Sequence, residues 1–205
     1  MSQSPVRYFA LSNLLSYVSL LCGLGAVITS RELRSWEVAG FLIAVSAFAD
    51  TFDGKFASRF PRTEIEKAFG VQLDSLVDAV SFGVVPVVCL STLIQIESLS
   101  AWTLWIGAAS FYALCALTRL GFYNLHREHS SGFIGLPTTL AGLLWSTLFL
   151  AHPSAMITIP LLAGIGLAMV SFIPVPRPRG GTMLAYMFWF AGVFTYHLVL
   201  LKRSL

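Results

Sequence analysis

The chain has 205 residues, of which 56% are hydrophobic and 11% are charged, and its formal net charge is +3. Soluble domains carry about 25% charged residues, so this composition excludes an ordinary soluble protein and indicates an integral membrane protein. The basic residues lie at the ends of apolar segments rather than in a patch with interleaved aromatic residues, which argues against nucleic-acid binding. We expect an all-α fold, a polytopic membrane helix bundle of about six to eight transmembrane helices, in a single domain over residues 1–205.

The apolar segments predict the helices in chain order. A membrane helix needs about 20 apolar residues to cross a hydrocarbon core of about 30 Å. Seven segments reach or approach this length. They are Tyr8–Ser30, Trp36–Ala57, Phe69–Ile96, Ala101–Asn124, Leu136–His152, Met156–Val175 and Thr182–Leu201.

The distribution of Lys and Arg between the loops predicts the orientation of the bundle, because cytoplasmic loops are enriched in these residues. The loop between the second and third segments is the most basic. We therefore expect a cytoplasmic N-terminus, and we expect this loop on the cytoplasmic side of a cytoplasmic membrane. Lys202 and Arg203 would face the opposite side if the last segment spans, so the number of spans and the side of the C-terminus stay open.

Four aspartates near this loop form the most informative pattern. Asp50 and Asp53 are three residues apart near the end of the second predicted helix. Asp74 and Asp78 are four residues apart near the start of the third. Each spacing places a pair on one helix face, and an antiparallel hairpin brings the two pairs to the same depth. Carboxylates at a membrane mark functional sites, and their oxygens suit hard cations, so we predict Mg²⁺ or Mn²⁺, with two ions.

Small residues lie on the same helix faces as the aspartates. Gly54, Ala57 and Gly70 each stand four residues from an aspartate. They could let a polar ligand approach the backbone, or they could allow close packing between membrane helices, and both interpretations stay open for Gly54 and Gly70. A divalent-cation transporter is the alternative from another functional class, but the third segment is almost wholly apolar after Ser81.

Together these positions read D-x2-D-G-x2-A followed by G-x3-D-x3-D, which resembles the signature of the CDP-alcohol phosphotransferase family. The chain departs from the family pattern after Ala57, because Ser58 stands where the family has arginine. The interval to Gly70 is also longer by two or three residues. We expect the next residue, Arg59, to take the role of the family arginine. A catalytically inactive relative is the alternative.

Later segments resemble the phosphatidylserine synthase branch of that family. They are QLDSLVDAVSFGVVP over residues 72–86, TRLGFYN over 118–124, FIGLPTT over 133–139 and MVSFIPVP over 169–176. The resemblance implies transfer of a phosphatidyl group from CDP-diacylglycerol to the hydroxyl of L-serine, with release of CMP. It also implies a homodimer. Inositol or choline as the acceptor stays an alternative.

The resemblance implies roles for individual residues. Asp78 would act as general base, and all four aspartates would hold metal. Arg119 would bind the lipid phosphate or the serine carboxylate, and an ordinary arginine reaching from a helix end to the interface is the alternative. The residues implied to contact the cytidine diphosphate are Asp53, Gly54, Ala57, Arg59, Gly70 and Asp74, and weaker candidates near the substrate are Asn124, Pro137 and Thr138.

The other residue types that commonly bind metals are expected to have no role in the site. The three cysteines lie inside apolar segments, so we expect small core residues rather than disulfides or ligands. His126 and His129 are expected in an exposed loop. His152 and His197 are expected on the opposite side of the membrane from the aspartates.

Overall fold

A computed structural model describes residues 4–126, 133–175 and 181–204 of the chain. These residues form seven long helices and one short antiparallel strand pair, so the all-α prediction is confirmed. The helices are α1 (Leu14–Glu32), α2 (Trp36–Ala57), α3 (Glu64–Leu93), α4 (Leu99–His126), α5 (Thr138–Phe149), α6 (Ala155–Met169) and α7 (Gly181–Ser204). The strands are β1 (Phe133–Ile134) and β2 (Pro174–Val175), and the 3₁₀ turns Pro5–Tyr8 and Leu11–Asn13 precede α1.

Polar residues determine where α3 begins. Thr63 and Glu66 form a capping box: the Thr63 hydroxyl accepts from the Glu66 amide, and the Glu66 carboxylate accepts from the Thr63 amide. Such a box satisfies two amides that the first helical turn leaves without partners. Helix α3 therefore begins at Glu64, earlier than Phe69, where the apolar segment starts.

Helix α3 changes its hydrogen-bond pattern in the π turn Ala79–Val84, directly after Asp78. Pro86 follows this turn, and it has no N–H to donate to the carbonyl of Phe82 four residues earlier. The Tyr112 hydroxyl of α4 donates to this carbonyl at 2.6 Å. A hydroxyl from a neighbouring helix thus stabilises an irregular turn of a kind that is frequent at functional sites.

The bundle packs around large buried side chains. Helix α1 packs on α2, α2 also contacts α5 and α7, and α4 packs on α6. Tyr112, Trp145 and Phe149 are fully buried between these helices. Aromatic side chains of this size contribute much of the apolar area that a core buries. The aspartate-bearing end of α2 is therefore attached to a well-packed frame.

Four segments are long and apolar enough to cross a membrane, and the chain is a membrane protein. They are Leu11–Glu32, Glu64–Leu93, Leu99–His126 and Gly181–Lys202. Helices α5 and α6 are apolar but have only 12 and 15 residues. At 1.5 Å per residue they are about 18 and 22 Å long, shorter than a hydrocarbon core of about 30 Å. The fifth and sixth predicted segments thus form shorter helices than their apolar lengths suggested.

Helix α7 is attached to the bundle through His197, which is fully buried. The Nε2 atom of His197 lies 3.1 Å from the Ser146 carbonyl oxygen, and the Ser146 hydroxyl donates to the Gly40 carbonyl at 2.7 Å. A side chain at Gly40 would collide with the imidazole ring. The contact therefore requires glycine in α2 and holds α7 against α2 and α5.

His152 and His126 have partners other than the aspartates. The Nε2 atom of His152 is 2.9 Å from Glu37 at the opposite end of α2, and His126 is exposed at the end of α4. His129 lies outside the described residues. The cysteines are free: Cys89 and Cys115 are buried, and Cys22 is partly buried.

Candidate active site

Three of the four aspartates converge between α2 and α3. Carboxylate oxygens of Asp50, Asp74 and Asp78 lie within 4.8 Å of one another. The hairpin brings the two helices together at the depth that the sequence indicated. Carboxylates this close repel one another unless a cation or a proton neutralises part of their charge.

Hydroxyl groups at the start of α5 orient two of these carboxylates. The Thr139 hydroxyl donates to Asp50 Oδ2 at 2.6 Å, and the Thr138 hydroxyl donates to Asp78 Oδ2 at 3.1 Å. Pro137 immediately precedes them at the start of the helix. Adjacent threonines thus reach one carboxylate on α2 and another on α3, which fixes the distance between the two helices at the site.

The strand pair holds the segment before α5 against the end of α6. The Gly135 amide donates to the Ile173 carbonyl at 2.9 Å, and the Leu136 amide donates to the Ala168 carbonyl at 2.9 Å. Gly135 has φ +74°, and a side chain there would collide with the Met169 carbonyl. Only glycine adopts this backbone conformation at low cost so close to another chain segment. This loop therefore positions the two threonines.

Asp78 carries the clearest indication of a bound cation. Its side chain is buried, and its Oδ1 atom has no hydrogen-bond partner among the described residues. Leaving a buried carboxylate oxygen without a partner is costly. Carboxylates offer only acceptor oxygens, which are the ligands that Mg²⁺ and Mn²⁺ prefer. The group of Asp50, Asp74 and Asp78 therefore fits a divalent cation.

Asp53 lies outside this group of three and has a partner on α1. The Ser16 hydroxyl of α1 donates to Asp53 Oδ2 at 2.9 Å. The carboxylates that lie together in the described chain are those of Asp50, Asp74 and Asp78. Asp53 nevertheless lines the neighbouring cavity together with Asp74. The role of Asp53 as a metal ligand stays a prediction, and its position suits contact with a ligand in that cavity.

A cavity of about 210 Å³ opens beside the carboxylates between α1, α2 and α3. We call it the nucleotide cavity, after the nucleotide contacts that the sequence predicts among its lining residues. The predicted nucleotide contacts that line it are Asp53, Gly54, Ala57, Gly70 and Asp74, and the further lining residues are Ser12, Asn13, Ser16, Arg62, Lys67 and Val71. A Cβ atom added at Gly54 would meet no described atom within 4 Å. At Gly54 the structure therefore favours ligand access over helix packing.

Arg62, rather than Arg59, reaches the nucleotide cavity. Arg59 is exposed just beyond the end of α2 and lies outside the cavity. A Cβ atom added at Gly70 would lie 3.3 Å from a guanidinium nitrogen of Arg62, whose buried Nε has no partner in the described ranges. Sequence reasoning missed Arg62, but the longer interval before Gly70 was a signal. The added residues carry the chain past Arg59 and back over the cavity.

Sequence reasoning also missed the polar residues at the N-terminal end of α1. Ser12, Asn13 and Ser16 line the nucleotide cavity, and all three are buried. The Asn13 side chain donates to the Tyr8 carbonyl at 3.1 Å, which holds the preceding turn over the helix. Their signal was three hydrogen-bonding side chains within five residues, at the start of an otherwise apolar segment.

Arg119 is buried, which differs from an arginine that extends its charged group to the interface. Its guanidinium carbon lies 5.2 Å from the Tyr123 ring centre and 5.6 Å from the Phe133 ring centre. Its Nε has no partner within the part of the chain that the structure describes. The side chain lies within electrostatic reach of Asp78 and lines a cavity of about 270 Å³ between α4 and α6. This position suits an anionic group of a substrate.

The weaker candidates have distinct positions. The Asn124 side chain donates to the Ser75 hydroxyl at 2.8 Å and thereby links α4 to α3. Pro137 lines a cavity beside Asp50. Of the three weaker candidates, Thr138 alone bonds directly to one of the grouped carboxylates, at Asp78.

Comparison with known proteins identifies the family. Residues 9–175 match the family described as CDP-alcohol phosphatidyltransferase, and this range contains the aspartates, the nucleotide cavity and Arg119. The chain belongs to this family. The resemblance predicted from the aspartate motif is confirmed, and the protein is a transferase. Helix α7 begins after the matched range.

Several similar proteins are named as enzymes that use serine or make a serine-containing lipid. The chain is 28% identical over 174 residues to the archaetidylserine synthase of Methanothermobacter thermautotrophicus, with 84% of this chain and 72% of that protein covered. It is 30% identical to the CDP-diacylglycerol–serine O-phosphatidyltransferase of Bacillus subtilis, covering 78% and 82% of the two chains. The Methanocaldococcus jannaschii protein of the same name is 31% identical, with coverages of 83% and 76%. These names confirm the resemblance to the phosphatidylserine synthase branch.

Proposed function

We propose that this transferase moves the phosphatidyl group of CDP-diacylglycerol to the hydroxyl of L-serine, releasing CMP and using Mg²⁺ or Mn²⁺, with two ions. One observation supports the reaction type. Asp78 belongs to a group of three carboxylates, and its buried Oδ1 atom has no hydrogen-bond partner among the described residues. Such a group combines a proton acceptor with charges that need a cation. The names of similar proteins support serine as the acceptor.

The nucleotide cavity offers groups that suit a cytidine diphosphate. Arg62 and Lys67 bring positive charge to its wall, and charge-assisted hydrogen bonds to phosphate are stronger than neutral ones. Gly54 leaves the backbone of α2 open to the ligand. Asn13 and Asp53 supply polar groups for the nucleoside.

Asp78 is the proposed base. It takes the proton of the serine hydroxyl while the serine oxygen forms its bond to phosphorus; the bond between phosphorus and the CMP oxygen breaks, and CMP leaves with the electron pair. Thr138 holds the Asp78 carboxylate in place. Asp50, Asp74 and Asp78 would hold the cation, which when bound neutralises charge on the diphosphate and on the departing CMP. Arg119 offers its charge to the serine carboxylate or the lipid phosphate.

The acceptor can be tested with purified protein in detergent. We expect CMP release from CDP-diacylglycerol with Mn²⁺ to require L-serine and to yield phosphatidylserine by mass spectrometry, with EDTA abolishing release. Release with inositol or choline but not with serine would show that the acceptor is wrong. If none of the three alcohols triggers release, the proposed reaction is wrong.

Cation transport, the alternative from another class, has less support. Residues 84–90 of α3, which lead away from the carboxylates, read VVPVVCL and offer no charged side chain along which a cation could continue. Carboxylates inside transport proteins commonly continue as a polar pathway. Uptake of Mn²⁺ into proteoliposomes without any CDP-diacylglycerol would revive this alternative.

We also propose that the protein lies in a cytoplasmic membrane with its carboxylates near the cytoplasmic side. The support is the basic loop between α2 and α3, which lies next to the aspartates. Labelling of a cysteine introduced at the exposed Arg59, in inside-out against right-side-out vesicles, would test this orientation. The homodimer stays a prediction from the family resemblance.

A further inference from the structure

The π turn Ala79–Val84 lies between the carboxylate-bearing part of α3 and the last part of that helix. Asp78, directly before the turn, accepts from Thr138 of α5 at 3.1 Å. Val85, directly after the turn, faces α1, because a Cβ atom added at Gly23 of α1 would lie 3.3 Å from a Val85 methyl carbon. In a regular helix Asp78 and Val85 would share a face, since residues seven apart do so. The π turn therefore directs the Asp78 carboxylate to α5 while Val85 packs against α1.

Helix α5 contacts this part of α3 at two points that are four residues apart on both helices. The Thr138 hydroxyl donates to Asp78, and a Cβ atom added at Gly142 would collide with the Phe82 ring. Phe82 is fully buried. Because residues four apart lie on the same helix face, one face of α5 contacts both the carboxylate and the π turn. A movement of the turn against α5 would therefore move the carboxylate as well.

Helix α4 also contacts the turn, through Tyr112. The Tyr112 hydroxyl donates to the Phe82 carbonyl at 2.6 Å, and both residues are fully buried. The residue that would donate to this carbonyl in a regular helix is Pro86, which has no N–H. The Tyr112 ring packs edge-on against Trp145 of α5, with 6.1 Å between the ring centres. The hydroxyl is therefore held in place by the core while it binds the carbonyl.

The same side of α4 leads from Tyr112 to Arg119. These two residues are seven apart, which is about 10 Å along the helix, and both are buried. Arg119 lies within electrostatic reach of Asp78. Residues 94–98 join α3 and α4 into a hairpin, so the step from Phe82 back to Asp78 runs in the same direction as the step from Tyr112 to Arg119. The bond between Tyr112 and Phe82 therefore sets how the carboxylate and the guanidinium are placed relative to each other.

We propose that Tyr112 is a positioning residue of the active site, whose bond to the Phe82 carbonyl maintains the π turn and thereby holds Asp78 toward the cation group and Arg119. This inference rests on the proposed function, in which Asp78 is the base and one of the carboxylates that would hold the cation. Tyr112 acts only through the turn, because its hydroxyl is bonded to the backbone. When this hydroxyl is removed, the buried Phe82 carbonyl loses a donor, and the turn before it loses its attachment to α4.

Tyr112→Phe removes only this hydroxyl, and Ser146→Ala is the matched control. The Ser146 hydroxyl is also buried and donates to a helix carbonyl, that of Gly40, at 2.7 Å. Both variants should therefore unfold at similarly lowered temperatures in detergent. We expect Tyr112→Phe to raise the Mn²⁺ dissociation constant about tenfold, because partners that orient metal ligands contribute roughly 10–100-fold to affinity, and Ser146→Ala to change it less than about twofold. The EPR signal of free Mn²⁺ measures this constant, and similar constants for the two variants would overturn the proposal.

The kinetic effect of Tyr112→Phe should fall on the chemical step. We expect kcat for CMP release to fall about tenfold at saturating Mn²⁺, since a displaced base transfers the proton less effectively. The KM for CDP-diacylglycerol should stay within about twofold, because Tyr112 lies outside the nucleotide cavity. An unchanged kcat would overturn the positioning role.

Tyr112→Phe combined with Pro86→Ala separates positioning from the simple loss of a hydrogen bond. The second change returns a backbone N–H four residues after Phe82, so the carbonyl regains a donor and α3 can close a regular turn. We expect the unfolding temperature to recover while the Mn²⁺ constant stays raised, because a regular turn rotates Asp78 by about 100° relative to the end of α3. Recovery of both values together would overturn the proposal. This double variant also provides the test if Tyr112→Phe alone does not fold.

The Mn²⁺ measurement separates this inference from the proposed reaction, because it needs neither the donor nor the acceptor. Weaker Mn²⁺ binding in Tyr112→Phe, without serine-dependent CMP release by the unchanged protein, would remove the proposed reaction and keep the positioning role. Serine-dependent release by the unchanged protein, with equal Mn²⁺ binding in Tyr112→Phe, would keep the reaction and overturn the positioning role.

Discussion

Helix α2 contains two glycines with opposite surroundings. A Cβ atom added at Gly40 would collide with the imidazole of His197, whereas one added at Gly54 would meet no described atom within 4 Å. The Gly40 end is closed by side chains of α5 and α7, and the Gly54 end is open to two cavities. The same residue type therefore serves helix packing at one end of α2 and leaves the backbone open to a cavity at the other.

The buried polar atoms at the two ends differ in the same way. At the closed end, the Ser146 hydroxyl and His197 Nε2 have partners. The buried atoms of α5 and α7 that have none among the described residues are ring nitrogens, Trp145 Nε1 and His197 Nδ1. Near the carboxylates, the buried atoms without a partner in the described ranges belong to carboxylate and guanidinium groups: Asp78 Oδ1, Arg62 Nε and Arg119 Nε. Unpaired buried atoms of charged groups are the costlier kind, so the open end is where we expect a bound ligand to stabilise the fold.

Asp78→Asn, at the open end of α2, is expected to have the largest effect on activity. We expect the rate of CMP release to fall about 1,000-fold, because a positioned general base typically contributes 10²–10⁴-fold. Unfolding in detergent should change little, since asparagine has a similar size and can still accept from Thr138. Mn²⁺ should still bind through Asp50 and Asp74, which a Mn²⁺ titration would measure. A variant with near-normal turnover would remove Asp78 as the base.

Arg62→Ala compared with Arg59→Ala tests which arginine serves the nucleotide cavity. We expect Arg62→Ala to raise the KM for CDP-diacylglycerol about 10–100-fold, the loss expected for a hydrogen bond to a charged group. Arg59→Ala should change this KM less than about twofold, because Arg59 is exposed outside the cavity. Steady-state kinetics on both variants measure the contrast. A larger KM increase for Arg59→Ala than for Arg62→Ala would show that Arg59 takes the role of the family arginine.

Gly54→Ala should damage function without damaging the fold. The added methyl group occupies space where the donor passes, and we expect kcat/KM for CDP-diacylglycerol to fall about tenfold. The unfolding temperature should stay equal or rise, because alanine is favoured over glycine in a helix. Kinetics and thermal unfolding on the same preparation give both values. A loss of stability together with activity would place Gly54 in packing instead.

Gly40→Ala should have the reverse effect, with the smallest change in activity. Its methyl group collides with His197, and overpacking of this kind costs about 1–3 kcal/mol of unfolding free energy. The folded fraction should keep its kcat/KM, because the collision lies at the closed end. Combining Gly40→Ala with His197→Ala should relieve the collision, so the double variant should lose less stability than the two single changes added together. Strict additivity would show that the two residues do not interact.

The sequence alone determined the class of protein, the order of the seven helices and the position of the carboxylate group. The thickness of the bilayer sets how long an apolar segment must be to form a membrane helix. Each segment predicted on this basis contains a helix, although α5 and α6 are shorter than their segments. Helical spacing determines which face a residue occupies, so Asp50, Asp74 and Asp78 could be expected to meet across a hairpin. The motif they form also indicated the family.

Only the tertiary structure decided which neighbour each of these residues meets. Spacing along a helix gives a face but not the rotation of that helix against others, so the bond from Ser16 of α1 to Asp53 could not be predicted. The path of a loop depends on the helices that it joins, and this path placed Arg62 over the cavity in place of Arg59. The structural role of a glycine in a helix depends on which residues pack against it. Gly40 meets His197 from a helix more than 100 residues away in sequence, whereas Gly54 faces open space.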